Sequence, residues 1–438
     1  MTGTTVKPAS VEPAVPGKTR GRWGLWAEPN FRKLWIGEVT SGLGTAVGNV
    51  SLALVAVVVL KASPVMMGVL TASAWLPWLF IGLPAGAWVD RWPRRKVMLA
   101  CDLVLMTVYA SVPLAAWLGI LTLGQLLVVA VLSGTAKVFF STAYSAMVPS
   151  LVDKADLLEA NVKFRSGESA ADVAGPGVAG LISQVFGSVA GLLVDACSYL
   201  VSALFLRSIE VPETPRPATA ERRSIRREIA EGVRFVVGDP YLLRLGCFGA
   251  LGNLALNGIQ AVQTVFLVRS VGLDAGGIGA VFAAVSVGGL AGAALARRIA
   301  LRFGTARGLL FCELVVAPFI FLLPFAGDQL PLPLSVLAWA VAVAGVVAGN
   351  VIMGSFYQSY CPPELLGRIR ASASTINYSA IPVGALLGGY LGEAIGSRAT
   401  IWAMAGVLVS AGLLLLLSPI RALRDLPERA ADDRPSRV

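Results

Sequence analysis

Histidine is missing altogether from these 438 residues. Its absence removes the commonest metal ligand and the side chain that most often switches charge near neutral pH. Cysteine is scarce: Cys101, Cys197, Cys247, Cys312 and Cys361 lie mostly inside apolar runs and show no paired spacing. Neither a disulfide framework nor a metal site is therefore expected. There is no glycine-rich nucleotide loop, which argues against direct drive by ATP. A catalytic cluster and a stretch long enough for a folded soluble domain are also missing, so an enzyme or a non-transporting membrane receptor is disfavoured, and no cofactor is expected. The first 30 residues contain no apolar h-region, so no signal peptide is expected either.

Charge is thin at 14% of residues, whereas 56% are hydrophobic and the mean hydropathy is +0.73. The charges are bunched between long apolar segments, each able to cross about 30 Å of hydrocarbon, which takes about 20 residues. The pattern predicts an all-α membrane protein with twelve transmembrane helices in two pseudo-symmetric six-helix bundles. The first six spans fall at 34–60, 65–89, 97–117, 120–147, 166–187 and 189–209. The second six fall at 243–268, 274–296, 306–326, 332–357, 371–394 and 397–420. Around them lie a tail over 1–30, a linker over 210–242 that divides the bundles 31–209 and 243–420, and a second tail over 421–438. Trp23, Trp26 and Trp35 mark the approach to the interface.

The net charge of +10 suggests nucleic acid, but its distribution does not. With these spans, all but Lys61, Lys137, Arg269 and Arg398 of the 36 Lys and Arg fall on one side. That asymmetry places both termini in the cytoplasm, with the chain in the plasma (inner) membrane in contact with lipid. Within the linker, Ile225, Ile229, Val233 and Val236 recur at helical spacing opposite Arg222, Arg223, Arg226 and Arg227. Such a helix lies on the cytoplasmic leaflet or is a solvated connector.

The stretch GLPAGAWVDRWPRRKVML, from Gly82 to Leu99, organises the first bundle. Gly82 and Gly86, four apart, are expected to admit a neighbouring helix closely. Asp90, Arg91, a Pro93 turn and then Arg94, Arg95 and Lys96 form a short basic loop before the next span. The halves echo each other: GAWVDR at 86–91 matches GAALAR at 292–297, with Ala296 in place of Asp90. Pro176 and Pro382 fall at matching places in the fifth and eleventh spans. Two repeats related by an axis along the membrane normal put a substrate site near the midplane between them.

Four spans carry polar stripes at spacings of three to four residues. The first has Glu38, Ser41, Thr45 and Asn49; the fourth has Ser133, Lys137, Ser141 and Tyr144. The seventh has Asn253, Asn257, Gln260 and Thr264; the tenth has only Asn350 and Tyr357. Polar groups in hydrocarbon cost free energy unless they face protein or water, so the stripes face an interior. In the fifth span, Arg165, Glu168, Asp172, Pro176 and Gly180 share one face, and Gly175-Pro176 begins GPGVAG. Lys137 and Asp172 lie at similar depths, and Asp172 is the expected partner of the buried cation, with Glu38 second. Asp102 is expected to brace the loop cluster. Asp195 and Glu313 have no evident partner.

The loop GAWVDRWPRRK, the opening FRKLW…SGLG, AMVPSLVDKADLLEAN and LVDACSYLVSALFL together resemble the major facilitator superfamily. The resemblance covers nearly the whole chain. GPGVAG is similar to the G-P-x-x-G-G element of its exporter branch, which includes enterobactin exporters and macrolide efflux proteins. The resemblance implies that the first, fourth, seventh and tenth helices line a central cavity. It implies too that the Gly86–Lys96 loop gates it, and that Gly175, Pro176 and Gly180 kink the fifth helix at the interface between the halves. The branch commonly carries an acidic residue where this chain has Thr45, so proton coupling falls to Asp172, Glu38 or Glu168. The expected function is proton-coupled export of small amphipathic compounds by a monomer. The alternative is a facilitator or symporter importing a small nutrient.

Overall fold

The computed structural model describes residues 24–89, 91–153, 156–210, 234–235, 237–361 and 363–427. Asp90, the expected amphipathic segment with its Arg222–Arg227 face and Ile225, Ile229, Val233 and Val236, and the outermost tails lie outside the described residues. Twelve helices account for most of the rest. In the first half they are α1 (Pro29–Leu54), α2 (Pro64–Val89), α3 (Arg94–Trp117), α4 (Leu123–Leu151), α5 (Leu157–Phe186) and α6 (Ala190–Arg207). The second half holds α7 (Pro240–Arg269), α8 (Ala275–Phe303), α9 (Thr305–Phe311), α10 (Leu332–Tyr360), α11 (Pro363–Ala394) and α12 (Ser397–Leu416).

Local chemistry sets the ends. The Asp239 and Asp274 carboxylates accept from the first free N–H groups of α7 and α8, and Thr122 does the same for α4. Gly187 and Gly396, with φ of 83° and 87°, make the tight turns into the sixth helix of each half, a conformation that side-chain-bearing residues rarely adopt. The ninth span is not one helix: α9 passes into a π segment at Cys312–Val316 and a 3-10 segment at Ala317–Phe325. Pro318 and Pro324 remove backbone donors there.

All twelve expected spans are present, but several helices run further than hydropathy shows. α5 starts nine residues before the expected 166, α11 eight before 371, and α8 continues seven past 296. Hydropathy marks the hydrocarbon, whereas the backbone hydrogen bonding of a helix continues into water. Among the described residues, ten helical stretches are apolar and long enough to cross a membrane, and α5 and α11, which carry Pro176 and Pro382, do not supply one of them.

Packing repeats between the halves. α1 packs on α5 and α6, and α2 on α4; equivalently, α7 packs on α11 and α12, and α8 on α10. The halves meet chiefly through α5 against α8 and α2 against α11. One hydrophobic cluster, including Val47, Leu54, Ala255, Ile259 and Phe266, crosses the boundary at the end remote from the termini. Another, including Leu245, Phe356 and Leu415, belongs wholly to the second half at the end that bears the termini.

Candidate functional site between and within the two halves

The seam between the halves is built on small residues. A Cβ on Gly180 would lie 2.7 Å from the Cα of Gly279 and 3.2 Å from the carbonyl oxygens of Ala275 and Gly276. On the other flank, a Cβ on Gly389 would lie 2.7 Å from the Pro64 carbonyl oxygen and 3.0 Å from the Gly68 Cα. Arg269 at the end of α7 donates to the carbonyl oxygens of Ala62 (2.8 Å) and Lys61 (3.2 Å). Every one of these contacts lies at the end remote from the termini. Deeper in, Tyr378 of α11 meets Trp75 and Trp78 of α2, with ring centroids 5.7 and 5.8 Å apart. Pro176 and Gly180 therefore sit at the inter-half seam. Gly175 instead faces Ala46 of α1 in its own half.

Among the described residues, the backbones of α1, α4, α7 and α10 do not approach one another extensively. Asn49, Ser141, Gln260 and Asn350 are exposed, while Thr45, Lys137, Tyr144, Asn253 and Tyr357 are half-buried. Ser41, Ser133, Asn257 and Thr264 are buried. Ser41, Ser133 and Asn257 satisfy themselves on their own helices, donating to the carbonyl oxygens of Glu38, Ala130 and Asn253. Asn253 reaches across to Asn377 of α11 at 3.2 Å. The stripes thus divide between residues that bond within the bundle and residues left open.

Three expectations do not hold. Gly82 and Gly86 meet no neighbouring helix among the described residues: an added Cβ would find only Trp78 of the same helix at Gly82 and nothing at Gly86. Lys137 does not face Asp172. Asp172 is exposed, and its charged neighbours are Glu168 and Arg165 on α5, themselves joined at 2.8 Å. α4 and α5 are consecutive and antiparallel, yet α4 packs on α2 and α3 while α5 packs on α1 and α8. Chain order did not imply adjacency. Nor does Asp102 brace the loop; it is 1% exposed, beside Ser202 of α6 and facing Glu38.

Loop cations hold their own half. Arg94 donates to the Ala146 carbonyl oxygen near the end of α4, and Arg95 to that of Arg207 at the end of α6, both at 2.8 Å. Cations there complement the partial negative charge of helix C-termini. Arg91 and Lys96 are exposed.

The group that sequence reasoning missed is the interior of the first half. Asp195 of α6 is 1% exposed, and neither carboxylate oxygen has a hydrogen-bond partner. Lys137 acts on it through space, without a direct ion pair among the described residues. Lys137 also lies over the Tyr109 ring, 5.9 Å from its centroid, and Tyr109 stacks on Tyr199 at 5.9 Å. Tyr199 shares a 2.7 Å hydrogen bond with Thr45. Gly44 and Gly48 of α1 make the room: added Cβ atoms would run into Ser198 and into the Asp195 carboxylate respectively. The signal was in SGLGTAVGN, where glycines four apart recur on α1, but nothing in the sequence says which helix fills the groove.

A family model described as transmembrane secretion effector matches residues 21–437. The chain is 28% identical over 382 residues to the multidrug efflux pump Tap of Mycobacterium tuberculosis, covering 84% of this chain and 88% of the relative. It is 25% identical over 429 residues to the enterobactin exporter EntS of Shigella boydii, covering 92% and 95%. A solved structure of a nucleoside transporter NupG variant superposes with a TM-score of 0.75 at 13% identity, over 89% of this chain and 99% of that one.

Proposed function

The chain belongs to the transmembrane secretion effector family, a multi-pass major facilitator type of transporter and not an enzyme, and from that premise we propose that it exports small amphipathic compounds against their gradient, coupled to protons. The observation that carries alternating access is the seam. Two flanks of backbone-close glycine contacts shut the end remote from the termini, while the hydrophobic cluster at the other end stays within one half. With the termini in the cytoplasm of the plasma membrane, this is a state open to the cell interior, poised to receive a substrate there.

The efflux and export named in its relatives support the outward direction. Amphipathic substrates suit the aromatic group of Trp75, Trp78 and Tyr378 together with the exposed polar groups Asn49, Ser141, Gln260 and Asn350 of the helices that would line a central cavity. Glu38, Glu168 and Asp172 are the acids on or near that space, with Glu38 partly unpartnered. The Arg94 and Arg95 contacts let the α2–α3 turn move with α4 and α6 as one body when the halves rock. The monomer supplies both halves of the site.

The test is accumulation of a panel of dyes and antibiotics in an efflux-deficient host, with and without an uncoupler. Lower accumulation that rises when the uncoupler is added is the expected result. Higher accumulation than in cells without the protein would instead establish import.

A further inference from the structure

We propose that Asp195 is the proton-binding group of this transporter, enclosed in the amino-terminal half with Lys137 nearby, over the Tyr109 ring that stacks on Tyr199 of the same helix; this rests on the coupled-export reading above. A carboxylate 1% exposed with no hydrogen bond to either oxygen is costly to keep ionised, and an unpaired buried charge is more costly still. A carboxyl group kept only for packing would be expected to be hydrogen-bonded, as buried polar groups are. Asp195 instead sits in a fitted recess, opposite one cation, with which it forms no direct ion pair among the described residues. That arrangement suits a group whose charge changes during the cycle.

The other half provides a control. Gly258 of α7 and Met404 of α12 occupy the matching seam: a Cβ on Gly258 would lie 2.5 Å from the Met404 sulfur. The same helix pair with the same kind of glycine recess is therefore filled by an apolar side chain where no charge is needed. Packing alone does not call for Asp195.

The groups around it are few. α4 presents Lys137, and α1 presents Gly44, Thr45 and Gly48, none of them charged. Tyr199, one turn along α6, faces Asp195, Tyr109 and Asp102 from α3 and is bonded to Thr45. The ionised carboxylate attracts Lys137 across α3 and draws α4 toward the α1–α6 pair. Taking up one proton on a carboxylate oxygen removes that attraction. The proton reaches Asp195 when the halves open on the side remote from the termini, and leaves it for the terminal side when they open there.

The full chain in lipid vesicles, followed by infrared difference spectroscopy across pH, tests this without a substrate. The expected result is a protonated-carboxyl band that titrates in wild type, is lost in Asp195→Asn, and is stronger at the same pH in Lys137→Gln, whose ionised form has no cation. A band unchanged in Asp195→Asn overturns the assignment, and so does one indifferent to Lys137→Gln. Asp195→Glu, which keeps the acid, shows that any loss is not misfolding if the band returns at a displaced frequency. Ethidium efflux separates the two readings. Efflux that is uncoupler-sensitive in wild type and remains so in Asp195→Asn overturns the role of Asp195 and leaves coupled export standing. Wild-type efflux that ignores the uncoupler overturns coupled export itself.

Discussion

The two halves share a packing plan but not an interior. In the first, Glu38, Asp102, Asp195 and Lys137 are enclosed by α1, α3, α4 and α6; in the second, Glu313 is the buried carboxylate among the described residues, on the π segment beside Gly349 of α10. One scaffold therefore holds several ionisable groups in one half and, among the described residues, a largely apolar core in the other. The difference teaches that the six-helix plan depends on small residues at helix crossings and not on what fills the gaps. Charge in the first half is an addition to a fold that stands without it.

Six substitutions probe that comparison. The largest effect belongs to the seam both halves share: Gly180→Leu puts a branched side chain where even a Cβ would lie 2.7 Å from Gly279. Transport in vesicles at matched insertion should fall at least tenfold. Transport near wild type would show that the seam is not where the halves close.

Next is a transplant of charge. Met404→Asp places a carboxylate in the apolar seam with no cation facing it, and should cost about 3–5 kcal/mol, the range for a buried charge left without its partner. Asp195→Val, which removes the charge at close to the same volume, should leave stability unchanged or raise it, since apolar replacements of buried charge at similar volume are often neutral or better. Denaturation of both purified variants reads this directly, and equal destabilisation would erase the distinction between the halves.

Gly48→Ala should destabilise by about 1–3 kcal/mol through overpacking, because the new Cβ meets the short, fitted Asp195 carboxylate. Gly258→Ala should cost less, because it meets the end of the flexible Met404 side chain. Parallel melting curves compare them. The smallest effect is expected at Glu168→Gln, whose pair with Arg165 is exposed at 58% and 80% of the two side chains. Screened surface pairs contribute about 0–1 kcal/mol, so its stability should barely move.

Much of this was legible beforehand. Twelve apolar runs, the repeat of GAWVDR as GAALAR, and Pro176 and Pro382 at matching places specified the two-bundle plan. GPGVAG marked the seam that Gly180 makes with Gly279. Sequence position misled at Lys137, since consecutive helices α4 and α5 are not neighbours. It misled again at Gly82 and Gly86, where a helix-contact motif has no helix against it among the described residues.

The hydropathy pattern by itself determined that the chain lies in a membrane, where its apolar segments fall, and that charges within the spans need protein or water around them. Hydrocarbon solvates neither backbone nor charge, so these features are local to each segment. Which acid meets which cation was decided only by tertiary packing. That outcome depends on helix neighbours and rotation, set by close crossings such as Gly48 on Asp195 and Gly180 on Gly279, between segments far apart in the chain.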